Sequence, residues 1–182
     1  MSGDSTKTSL WTDADVRIDW TAAAAGPSDA KTAYIAAWTL VGLLDGESGI
    51  EEERDEDTSE HFAWGGVLIK KTRSKHKRTI KFVALEDNDE VFKLINPGST
   101  RGTPVTGLRT DIIKVPKYVD FGISFETKEG LVSRRRTVKR ATIEEIGTIK
   151  ASEEEPTVYE ITVVLYPEAD GTLYRDVVGP NV

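Results

Sequence analysis

The chain has 182 residues, no cysteine, two histidines and a formal net charge of −7. Without cysteine there is no disulfide framework, thiolate zinc site or cysteine nucleophile, and two histidines make a poor basis for a metal centre. The acidic balance argues against a dedicated binder of the nucleic-acid backbone, while 38% apolar residues suffice for one core-forming domain at 15–182 behind a polar N-terminal arm at 1–14.

Met1–Lys7 lacks the apolar core of a signal peptide, and no run of about 18 apolar residues suggests a membrane span. Val16, Ile18 and Trp20 alternate with Arg17 and Asp19, which predicts a short strand. Thr21–Lys31 reads as a loop broken by Gly26-Pro27. Tyr34–Leu44 is a continuous apolar run. Gly42 and its β-branched neighbours favour a strand, either in the core or at an edge meant for a partner.

Residues 45–60 carry nine acids and one base, Arg54, for a net of −8, whereas residues 70–81 carry seven bases and no acid, for +7. The apolar stretch His61–Ile69 separates them. The acidic part is expected as a long polar loop, 45–60, since it has no periodicity. Phe62–Arg73 and Lys75–Glu86 are expected as two antiparallel strands meeting near Ser74. Charge segregated in this way suits a molecule that meets copies of itself, acid against base. Solvated loop surface is the plain alternative.

Residues 87–96 predict the one helix. Asp87 is the candidate cap, Glu90 completes a capping-box spacing, Val91, Leu94 and Ile95 share a face, and Pro97-Gly98 ends it. Val119, Phe121, Ile123 and Phe125 then alternate with polar residues, the cleanest strand pattern in the chain. After a turn at Lys128-Glu129-Gly130, Leu131–Ile143 runs back with Arg134 and Arg136 on one face and Arg135 on the other. Tyr159–Leu165 and Leu173–Val178 complete the set. Seven or eight strands and one helix make a mainly β fold, an antiparallel β-sandwich or barrel with one packed helix and long arms.

No catalytic constellation, cofactor motif or metal site emerges. His61 and His76 flank the first hairpin too far apart to share a ligand, and the acidic run lacks the spaced ligands and central glycine of a calcium loop. Gly65-Gly66 is not followed by a helix and so forms no phosphate cradle. The candidate functional residues are therefore contact residues between subunits. Glu51, Glu52, Glu53, Asp55, Glu56 and Asp57 would meet Lys70, Lys71, Arg73, Lys75 and Lys77 of another copy, with Arg134 and Arg136 in an intersubunit salt-bridge row.

The order of elements resembles the major tail proteins, or tail tube proteins, of long-tailed, siphovirus-type bacteriophages. The residues that carry the resemblance are Ile35–Leu40, the acidic stretch after it, Phe62-Ala63-Trp64-Gly65-Gly66, the junction Ile80–Val91, and the strands at Val119–Phe125 and Tyr159–Leu165. The ending Leu165-Tyr166-Pro167 with Asp170–Asp176 is similar to actinobacterial-phage members. The resemblance implies no catalytic residues and no cofactor. It implies homo-hexameric rings stacked into a tube within the virion tail, assembled in the host cytoplasm. The partners it implies are a tape measure protein, tail-end proteins and DNA that passes without specific binding. A second reading, from another class, is a non-catalytic β-sandwich binding module for carbohydrate or protein, with Trp11, Trp20, Trp38 and Trp64 as candidate contacts.

Overall fold

The computed structural model describes Asp4 and residues 8–182; residues 1–3 and 5–7 of the expected N-terminal arm lie outside the described residues. Eight strands and one helix follow in order: β1 (Asp13–Asp19), β2 (Thr39–Leu40), β3 (Ile50–Phe62), β4 (Leu68–Ala84), α1 (Asp89–Ile95), β5 (Phe121–Glu129), β6 (Val132–Ile146), β7 (Tyr159–Leu165) and β8 (Arg175–Pro180). They form one antiparallel sheet in the order β2-β1-β5-β6-β7-β4-β3, with β8 paired to the first half of β6.

The sheet closes on itself. The segment after β2 donates from the Val41 amide to the Val16 carbonyl on β1. Two residues later the same segment joins β4, where the Leu85 amide meets the Leu43 carbonyl and the Asp45 amide meets the Val83 carbonyl. The alternation read in the sequence supplies the interior. Val16 and Ile18, Phe121, Ile123 and Phe125, Ile80 and Phe82, and Ile161 and Val163 all point inward and are buried. Val91 and Leu94 of α1 join this core. The helix is capped by Asn88, whose side chain accepts from the Glu90 and Val91 amides, instead of by Asp87. Glu90 is drawn away from the capping-box role to accept from the Trp20 indole and the Thr39 hydroxyl.

Two expectations are overturned here. The 45–60 segment is strand from Ile50 onward. It pairs with β4 over its whole length, Glu51 opposite Lys81, Asp55 opposite Lys77 and Glu60 opposite Lys71. Its hairpin turns at Ala63–Val67, through Gly65 and Gly66 at φ 90° and 80°, and not at Ser74. Ser74 instead sits beside a bulge at Lys75, where φ is 53°. Before Thr79, β4 has no partner on its β7 side, so residues 54–78 form an arm wet on both faces. An arm with no buried face has no apolar alternation to reveal it.

The apolar run Tyr34–Leu44 contributes only Thr39–Leu40 as regular strand. Its first part belongs to a loop, 21–38, laid over the outer face of β1, β5 and β6. Trp38 is buried against Gly122, and the Tyr34 hydroxyl lies 2.9 Å from Ser124 Oγ. Asp19 anchors the start of this loop by accepting from the amides of Thr21, Ala23 and Ala24.

Candidate functional site

The arm, its root and the neighbouring cavity hold the residues singled out by charge. Along the arm, acids and bases face each other within one chain. Lys71 Nζ is 2.9 Å from Glu60, and Lys75 Nζ is 2.7 Å from Asp57. Glu56 gathers Arg54, His76 Nδ1 at 2.8 Å and Arg73 at 3.7 Å. The Arg54 guanidinium, aided by His76, holds the Glu56 carboxyl below its ordinary range.

At the root, four strands are tied by one network. Glu52 on β3 accepts from Arg78 of β4 at 2.7 Å, from Arg136 of β6, and from the Tyr174 hydroxyl at 3.2 Å. Arg136 also forms a two-pronged pair with Asp176 of β8 at 2.8 and 2.9 Å, which raises the guanidinium pKa further. Both arginines lie over the Tyr174 ring, Arg136 at 4.1 Å and Arg78 at 5.7 Å. The structure thus joins Glu52 and Arg136 directly. Arg134 instead lies over the Trp11 ring at 5.2 Å.

The other face of the arm root is acidic. Glu51, Glu53 and Glu160 line a shallow groove with Glu145, and Glu144 and Asp55 lie near Lys77. Lys77 and Lys81 are the bases here. Their hydrogen bonds to Glu144 (2.5 Å) and Glu160 (3.0 Å) raise their pKa values. Lys70 is exposed near the arm tip, opposite His61.

Next to the root, an open cavity of about 790 Å³ lies between Asp13–Asp15, the segment 40–50, and the starts of β3 and the barrel part of β4. Leu44, Ile50, Ile80 and Phe125 form its floor, with Leu10, Leu40 and Leu43 exposed around it.

One buried pair was not anticipated. Glu126 and Arg135, opposite one another on β5 and β6, lie 2.8 Å apart with side chains about 5% exposed. Ser133 also donates to Glu126, and Arg135 reaches the Asp29 and Thr32 carbonyls of the covering loop. Their register follows from a two-residue turn at Gly130-Leu131, with Glu129 opposite Val132 and Glu126 opposite Arg135; the turn expected at 128–130 does not give it. The four tryptophans do not cluster. Trp38 is buried, Trp11 and Trp20 are half-buried, and Trp64 is fully exposed at the arm tip. Among the described residues no group of three or more His, Cys, Asp or Glu side chains is arranged to hold a metal ion, and no helix is long and apolar enough to cross a membrane.

No protein-family model and no curated protein matches the sequence. Solved structures do match. A chain of the sheath–tube complex of an extracellular contractile injection system (PVC), in its extended state, superposes with a TM-score of 0.51 at 11% identity, covering 98% of this chain and 99% of that one. The two chains share a fold. Weaker likenesses are to the sheath/tube terminator of the same system (TM-score 0.42, 14% identity, 72% and 83% covered) and to the tube-terminating cap of the anti-feeding prophage (0.40, 16%, 72% and 78%).

Proposed function

We propose that this chain is a non-enzymatic structural protein whose copies form rings that stack into a tail tube. The observation that carries the reading is the end-to-end likeness of the barrel, over 98% of this chain and 99% of the other, to a component of a sheath–tube complex. The arm supports it. A lone molecule gains little from a hairpin that leaves both faces and both strand edges in water, whereas a stacking subunit can satisfy them against neighbours.

In this reading the rings are homo-hexamers and the tube belongs to a virion of the long-tailed, siphovirus type, similar to actinobacterial-phage members. A tape measure protein and tail-end proteins are its partners. The acidic groove of Glu51, Glu53, Glu145 and Glu160 is the candidate lumen surface, because fixed negative charge repels DNA phosphates and lets a genome slide without adhering. The arm charges, from Arg54 to Asp57 and from Lys70 to Lys77, stiffen the hairpin and present it to the neighbouring ring.

Sedimentation velocity over a concentration series tests the proposal. Species that keep growing with concentration support an open assembly. A single closed oligomer, unchanged as concentration rises, contradicts it.

A further inference from the structure

Most arm charges are satisfied within the chain, but the arm tip is not. Phe62, Trp64, Val67, Leu68 and Ile69 are all exposed around the turn, and Trp64 is completely so. Displaying an indole and four apolar neighbours to water is unfavourable unless a partner covers them. At the root of the same arm, the 790 Å³ cavity presents the complementary surface, with Leu10, Leu40 and Leu43 exposed above Leu44, Ile50 and Ile80.

The tip cannot reach its own cavity. Glu52 borders the cavity, and β3 runs from there to Phe62. Ten residues of strand span roughly 30 Å. The two ends are also complementary in charge. Lys70, Lys71 and Arg73 flank the tip, with Glu60 against Lys71 and Glu56 3.7 Å from Arg73, while Asp13, Asp15, Asp45, Glu52 and Glu86 border the cavity with Arg134 and Arg136.

We propose that the 62–69 tip of one copy inserts into this cavity of a second copy, head to tail, with Trp64 as the anchor. The inference rests on the self-assembly reading above and names the surfaces that carry it. Tip and cavity are different surfaces, so the contact is heterologous and repeats without closing on a pair. Apolar burial supplies the affinity and the rim charges set the orientation, so association survives added salt that screens exposed ion pairs.

The chain has no cysteine, so single thiols can be placed at will. Val67→Cys marks the tip and Leu43→Cys the cavity rim; both positions are exposed, and neither belongs to the buried core. The full-length variants are mixed and treated with a short bis-maleimide. The expected result is a cross-linked dimer in the mixture, a ladder from the double variant, and little product from either single variant. Adding Trp64→Ser should lower the yield at least about tenfold. Tip-to-tip product from Val67→Cys alone, or no mixed product up to the solubility limit, overturns the proposal. Hollow tubes without the mixed product would reject this contact and leave the tube reading standing. A ladder from solid filaments would keep the contact and reject the tube.

Discussion

Arg136 on β6 hydrogen-bonds to Glu52 on β3, so the root of the arm is fastened to a strand that is not its neighbour in the sheet. The bond belongs to a five-residue unit with Arg78, Tyr174 and Asp176 that locks β3, β4, β6 and β8 in one arrangement. Arg136→Ala leaves Glu52 with one donor fewer and Asp176 with two fewer. The expected loss of stability is about 1–3 kcal/mol, read from urea unfolding. Because the two groups act together, Arg136→Ala and Glu52→Gln should cost less in combination than the sum of the two. Additive costs would mean that the bond contributes nothing.

Arg135 and Glu126 should respond more strongly. Their side chains are about 5% exposed, and Arg135 also holds down the loop through the Asp29 and Thr32 carbonyls. Arg135→Met strands a buried carboxylate and should cost about 3–5 kcal/mol. Pairing it with Glu126→Leu should recover much of that loss, since the uncompensated charge is gone. A double variant as unstable as the single one would place the whole effect in the loop contacts.

The fold was legible where a strand turns alternate apolar residues into the barrel. Phe121, Ile123 and Phe125 alternate because the barrel interior takes every second residue, and Tyr159–Leu165 is a strand from end to end for the same reason. The β3 side of the arm was illegible because neither face is buried, so its register is set by cross-strand charge pairs and by Gly65-Gly66, whereas the β4 side was expected as strand. Tyr34–Trp38 misled in the opposite sense: these aromatic residues cover the outside of the barrel from a loop, and apolar content alone does not distinguish that from a strand. Of the candidate residues, Glu52 and Arg136 could be named from sequence, but that they meet each other in one chain depends on the curvature of the barrel, which local pattern does not encode. The cavity was invisible for the same reason, since Leu10, Leu43 and Ile80 come from three distant segments.

Acid should loosen the covering loop. The Thr32 amide, the Thr32 hydroxyl and the Lys31 amide bind the Asp29 carboxylate and hold its pKa at about 2, below the ordinary 3.8. A lowered value in the folded state means that this contribution is complete above the ordinary carboxylate value and fades as pH falls toward 2. Thermal unfolding from pH 6 to pH 2 should show a steeper acid decline for the parent chain than for Asp29→Asn. Parallel curves would contradict the assignment.

Gly42 sits where the barrel closes, at φ 108°, and a Cβ there would lie 2.7 Å from the Asn88 side chain and from the Glu86 carboxylate. Asn88 caps α1 and donates to the Val41 carbonyl. Gly42→Ala should therefore disturb closure and cap together and cost about 1–3 kcal/mol, whereas Gly107→Ala, in open space at φ 81°, carries only the backbone strain. Equal melting temperatures for the two variants would show that the crowding is relieved without cost.

Copies of this chain are proposed to build a hollow stack. Negative-stain electron microscopy of the purified protein, imaged as its concentration is raised, tests it most directly. Stacked rings or tubes with a continuous stain-filled lumen are expected. Solid fibres, or discrete closed particles that never stack, would contradict it.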